Sequence, residues 1–91
     1  MYKTVLSLEL EKLISKLAKK DKILLIALNN KIKQVCSCDD ELIDHYKNLR
    51  YGLSEYKRVH IDKSFVLIFK VNKERNTVYF DRLEHHDTAY K

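Results

Sequence analysis

Residues Glu55–Leu83 read EYKRVHIDKSFVLIFKVNKERNTVYFDRL, and this stretch decides the fold. Glu55–Ile61 alternates, with Tyr56, Arg58 and His60 on one side of a strand and Lys57, Val59 and Ile61 on the other. Phe65–Val71 is nearly all apolar, the pattern of a central strand. Asn72–Asn76 (NKERN) is a polar hairpin loop. Thr77–Leu83 is the last strand, and strict alternation puts Val78, Phe80 and Arg82 on one face and Tyr79, Asp81 and Leu83 on the other. Loops this short join antiparallel neighbours, so the stretch reads as a meander.

Working upstream, His45–Arg50 is a further candidate strand, punctuated by Tyr51-Gly52. Before the acidic patch Asp39–Glu41 the period changes. Leu10, Leu13, Ile14 and Leu17 fall at helical spacing, with Glu9 and Glu11 near the start and Lys19 and Lys20 near the end, which suits the helix dipole. Asp21 can cap a second helix whose apolar stripe is Leu25, Leu28, Ile32 and Val35, with Asn29 and Asn30 as a weak point. Tyr2–Leu8 alternates loosely and can start a strand. The expected fold is α+β: an N-terminal strand and a two-helix hairpin packed on an antiparallel sheet of about four strands, in the order β-α-α-β-β-β. A chain of 91 residues supports one domain over 1–91.

Composition removes several functional classes. One Gly and no Pro leave no Gly-rich phosphate loop. The longest apolar run, Ile23–Leu28, is far short of a membrane span, and residues 1–10 do not read as a signal peptide, so a cytoplasmic protein is expected. Cys36 and Cys38 are too close for an unstrained disulfide and too few for a zinc site on their own, which fits reduced thiols. His85, His86 and Asp87 lack a regular ligand spacing, so no metal and no cofactor is expected. The net charge of +5 is uneven. Residues 1–45 hold 8 Lys/Arg against 7 Asp/Glu, and residues 46–91 hold 10 against 6. The basic second half favours a polyanionic partner.

Every histidine also lies in that half: His45, His60, His85 and His86. Arg58 and His60 share a strand face, Arg82 stands near the end of the last strand with His86 four residues on, and in a meander these side chains can meet on the face the helices do not cover. RNA cleavage needs little more than such a set. The ribose 2′-OH attacks its own 3′-phosphate, one group takes its proton, another protonates the leaving 5′-oxygen, and a cation stabilises the charged transition state. Aromatic rings can hold an unstacked base.

Four motifs then add to this reading. Asp44-His45, Tyr56-Lys57-Arg58-Val59-His60-Ile61, Phe65–Val71 and Phe80-Asp81-Arg82-Leu83-Glu84-His85-His86, in that order, resemble the RelE/ParE toxin superfamily, and within it the YafQ-like branch. That branch carries a DH pair, an F-R-E-C-H-I/V strand, an apolar strand, and R-x-G-x-H with an aromatic near the C-terminus. The resemblance implies the toxin of a type II toxin–antitoxin pair: a metal-free endoribonuclease that cuts mRNA in the ribosomal A site and is neutralised by a cognate antitoxin protein. It implies roles for His45 (acid/base or positioning), His60 (base), Arg82 (transition-state phosphate), His86 (general acid) and Tyr90 (C-terminal aromatic). Lys47, Arg50, Lys57 and Arg58 are candidate RNA-backbone contacts. The chain departs from the branch at Ser64 and Phe65, where the family has Asp and Trp, and at Glu84, where it has Gly and where a carboxylate would repel phosphate. A ParE-like gyrase inhibitor, or a catalytically weakened RNA- or ribosome-binding member, is the alternative.

Overall fold

The computed structural model describes residues 1–49 and 55–85. The elements are β1 (Lys3–Leu6), α1 (Leu8–Lys20), α2 (Lys22–Cys36), α3 (Asp40–Ile43), β2 (Tyr56–Ile61), β3 (Phe65–Asn72) and β4 (Thr77–His85). The sheet order is β1-β4-β3-β2. β2, β3 and β4 form the expected antiparallel meander. The fourth strand of the sheet is β1, which runs parallel to β4 with Lys3 opposite Thr77 and Leu6 opposite Phe80.

Side-chain caps fix the helix starts. Ser7 Oγ accepts the Leu10 N–H at 3.0 Å, and Asp21 Oδ1 accepts that of Leu24 at 3.1 Å. Asn29 and Asn30 do not interrupt α2, because Leu28 and Ile32 on the same helix are buried and packing outweighs the weak propensity. α3 was not legible in advance. The acidic patch supplies it, with Asp39 Oδ1 accepting the Leu42 N–H at 2.7 Å.

The two helices cover one face of the sheet. Leu10, Leu17, Leu28, Ile32 and Val35 meet Ile61, Leu67, Phe69, Val78 and Phe80 in one core. Phe69 is its hub, 5.7 Å from Phe80 and 5.5 Å edge-on from Tyr46 between ring centroids.

The expected strand His45–Arg50 requires correction over its described part. Residues 45–49 are irregular, with one isolated bridge between Asn48 and Lys57. The segment still lies along the free edge of β2, where Leu49 N–H donates to Tyr56 O and Arg58 N–H to Lys47 O, both at 2.9 Å. It arrives there from the helix side, where Tyr46 packs against Phe69 and Asp44 pairs with Lys73 at 2.7 Å. A chain crossing from one face to the edge cannot keep a strand's alternation.

Among the described residues, two that are not glycine hold positive φ, Asp62 (59°) and Asn76 (53°). Both sit in hairpin turns, where Asn and Asp tolerate this region best. Asp62 Oδ1 also accepts the Lys63 N–H at 2.7 Å, which gives this carboxylate a turn-forming role.

Candidate active site

Among the described residues no helix lies on the second sheet face, and a bulge decides what that face displays. Strict alternation along β4 would carry Arg82 to the helix-covered face with Val78 and Phe80. The structure corrects this. Phe69 pairs with Phe80 but Ile68 pairs with Arg82, so Asp81 is an extra residue in β4. Parity therefore changes after Phe80. Arg82 faces outward, and Leu83 returns to the core side opposite Leu67. The reason is energetic. A guanidinium buried among apolar residues costs several kcal/mol, about as much as burying Leu83 gains or more.

The bulge is held by the residue that follows β1, the strand next to β4. Ser7 N–H donates to Phe80 O at 2.9 Å, and Ser7 Oγ donates to Asp81 O. The same hydroxyl oxygen caps α1. One serine thus ties the first helix to the point where Arg82 emerges.

Two rows of partners surround Arg82 on the outward face. One is Arg58–Ile68–Arg82 and the other His60–Val66–Glu84. Strand spacing sets the outer members of each row about 10 Å apart. Between them Val66 and Ile68 are fully buried although they lie outside the helix-side core. Arg58 and Arg82 therefore flank Ile68 in one row, and His60 and Glu84 flank Val66 in the other. His60 is exposed, and the Arg58 guanidinium Nη1 donates to Asn48 O at 2.9 Å.

Arg82 is held by two carboxylates. Its Nη1 donates to Asp81 Oδ2 and its Nε to Glu84 Oε1. Partial burial pulls the guanidinium's pKa down, but the bonds to Glu84 and Asp81 outweigh it and the net shift is upward. Arg82 stays a cation at every relevant pH. Glu84, the departure from the family pattern, is thus partnered by the very group whose phosphate it would repel.

The other residues singled out in the sequence fall elsewhere. His45 is not among the outward-facing rows. It lines a cavity of about 460 Å³ on the helix side with Gln34, Ser37, Cys38, Leu42 and Tyr46. Burial, with the nearby Cys38, pushes the Tyr46 phenol up to about 12, so it does not ionise near neutral pH. The Lys57 amino group donates to Tyr46 O and Asn48 Oδ1, both at 3.1 Å, which fastens the edge segment to β2. Lys47 is exposed on that segment. His85 pairs across the sheet with Phe65, their rings 5.6 Å apart and edge-on. Arg50, His86 and Tyr90 lie outside the described residues. Ser7 is the residue that sequence reasoning did not place in the site, and Glu84 was placed there but not as the partner of Arg82. A buried serine before a helix reads only as a cap until its second bond is seen.

Both cysteines are free thiols, Cys36 buried and 3.1 Å from Thr4 Oγ1. Burial raises the Cys36 thiol above its ordinary value despite the Thr4 bond. Among the described residues no group of three or more His, Cys, Asp or Glu side chains is arranged to hold a metal ion. Among them, too, no helix is long and apolar enough to cross a membrane.

A two-helix layer on one face of a four-stranded sheet is also the fold of several solved toxins. YafQ of Escherichia coli superposes over the whole of both chains with a TM-score of 0.71 at 18% identity. A YoeB/ParE toxin of Agrobacterium tumefaciens covers 92% of this chain and 98% of its own with a TM-score of 0.74 at 12% identity. The E. coli DinJ–YafQ complex matches over both chains with a TM-score of 0.61 at 16% identity. No protein-family model matches the chain. In sequence, a protein of Methanocaldococcus jannaschii that carries the provisional name toxin RelE4 is 44% identical over 91 residues, covering all of this chain and 93% of that protein. The chain belongs to the RelE toxin family.

Proposed function

We propose that this protein is the toxin of a toxin–antitoxin pair and acts as an endoribonuclease on mRNA in the ribosomal A site. The observation that carries the reading is the bulge after Phe80, which turns Arg82 onto the helix-free face in one row with Arg58. Two arginines whose backbone positions lie about 10 Å apart on one sheet face suit a phosphodiester backbone between them. In the resting protein Asp81 and Glu84 satisfy Arg82. A scissile phosphate would replace them as its partner and receive the fork of N–H donors as charge builds in the transition state. His60, in the neighbouring row, takes the 2′-OH proton. On the family resemblance His86 protonates the 5′-oxygen and Tyr90 packs on a base. No step is assigned to His45, because it lines a different cavity. YafQ is known in a complex with a second protein, DinJ. By that likeness a cognate antitoxin is the expected partner here.

The direct test is a toeprint on translating ribosomes followed by analysis of the new ends. Cleavage should leave 2′,3′-cyclic phosphate and 5′-OH termini, the products of 2′-OH attack. His60→Ala should slow it by roughly two to four orders of magnitude, the contribution of one positioned acid/base group. Intact mRNA together with inhibited gyrase supercoiling would overturn the reading in favour of a ParE-like poison.

A further inference from the structure

A second cleft opens on the same sheet face, at the far end from Arg82, beside the hairpin that joins β3 to β4. It encloses about 460 Å³ and is lined by Val5, Lys70, Asn72, Arg75, Thr77 and Tyr79. We propose that this cleft is a subsite for one nucleotide of single-stranded RNA, its base on Tyr79 and Val5 and its phosphate between Lys70 and Arg75. The inference rests on the endoribonuclease reading and adds to it a position where substrate is held away from the chemistry.

Each part of a nucleotide finds a partner in the lining. Val5, Tyr79, Lys70 and Tyr56 form one continuous row across all four strands. Tyr79 is half-buried and Val5 is 43% exposed, which together make an apolar shelf of the kind a base covers. The Lys70 ammonium is held over the Tyr56 ring, 5.4 Å from its centroid, so the cation is positioned at the rim. Among the described residues no acidic side chain lines the cleft, while Lys70 and Arg75 both do. In the next row Asn72 and Thr77 stand directly opposite one another. Asn72 Oδ1 accepts the Arg75 N–H at 3.1 Å, which leaves Nδ2 as a donor. Thr77 Oγ1 donates to Arg75 O at 2.9 Å, which leaves its lone pairs as an acceptor. A donor beside an acceptor matches the edge of a nucleobase. Tyr79 precedes Arg82 by three residues on β4, so their backbone positions lie about 10 Å apart. An extended strand of RNA covers that distance within a couple of nucleotides.

The test uses a short fluorescein-labelled single-stranded RNA with 2′-O-methyl riboses, which cannot undergo 2′-OH attack, and reads fluorescence anisotropy. Tyr79→Ala should weaken binding roughly ten-fold, the loss of one base–aromatic stack, and Tyr79→Phe should retain it. Arg75→Glu changes an exposed hairpin residue outside the core, so it separates binding from folding. It should weaken binding and reduce the salt slope by about one. In wild type, an abasic nucleotide walked along the probe should weaken binding at one position, and Tyr79→Ala should abolish that position's effect. Unchanged affinity in Tyr79→Ala and Arg75→Glu, with RNA bound and cleaved by wild type, would overturn the subsite and leave the nuclease reading standing. Wild type that neither binds nor cleaves RNA would overturn both. Variants that lose the antitoxin but keep RNA would give the cleft to an acidic peptide instead, and that also overturns the proposal.

Discussion

Replacing Arg82 by glutamine is expected to reduce RNA cleavage by about two to three orders of magnitude, the effect of removing one preorganised charge-stabilising donor. The loss should fall on the rate of the chemical step more than on RNA affinity. Arg58, at the other end of its row, still offers a guanidinium to the backbone. Arg82→Lys keeps the charge but not the planar fork, so it should recover only part of the rate. The substitution also has a structural consequence. Arg82 bonds both Asp81 and Glu84, and glutamine leaves two carboxylates without their shared cation. These groups are partly exposed, so water takes over much of the loss and the stability change stays modest. Single-turnover cleavage, with urea denaturation of the same samples, separates the two effects. Cleavage by Arg82→Gln at the wild-type rate would remove Arg82 from the mechanism.

Much of this arrangement was legible from local pattern alone. The alternation in Tyr56–Ile61, the apolar run Phe65–Val71 and the 3.6-residue stripe through Leu10, Leu13, Ile14 and Leu17 each report a local burial preference, and each became the element expected. The polar loop NKERN became a hairpin turn, with Asn76 taking positive φ. What failed depends on contacts between distant residues. The parallel pairing of β1 with β4 joins the two ends of the chain, and nothing in KTVL specifies its partner. The parity of Arg82 turned on a single extra residue, Asp81, and strict alternation has no means of marking one. A physical signal was nonetheless present. Alternation placed an arginine among Val78 and Phe80 and exposed a leucine, a conflict that a bulge resolves. His45 shows the limit of motif reading. The Asp44-His45 pair is intact in the sequence, yet Asp44 pairs with Lys73 and His45 lines the helix-side cavity.

The bulge also sets the second large effect. Phe80→Ala should cost about 3–5 kcal/mol, as removal of a fully buried aromatic ring does. A domain of this size has a net stability of only about 5–14 kcal/mol, so the variant should lie close to unfolding at ambient temperature. Phe80 is the last regular pair before the bulge. It packs on Phe69, and its carbonyl receives the Ser7 N–H. Deleting Asp81 is the informative comparison. The ladder beyond Phe80 already pairs Arg82 with Ile68 and Leu83 with Leu67, so deletion makes β4 regular without moving either residue to the other face. The fold should survive the loss of the Ser7 bond to Asp81 O and of one of the two Arg82 ion pairs. A small residue at position 80 should therefore be more damaging than a missing residue at position 81. Urea midpoints of the two variants, measured on one day in one buffer, decide it. If the deletion proved the less stable, the bulge would be holding the sheet together rather than merely accommodating Arg82, and the bond from Ser7 would be its main support.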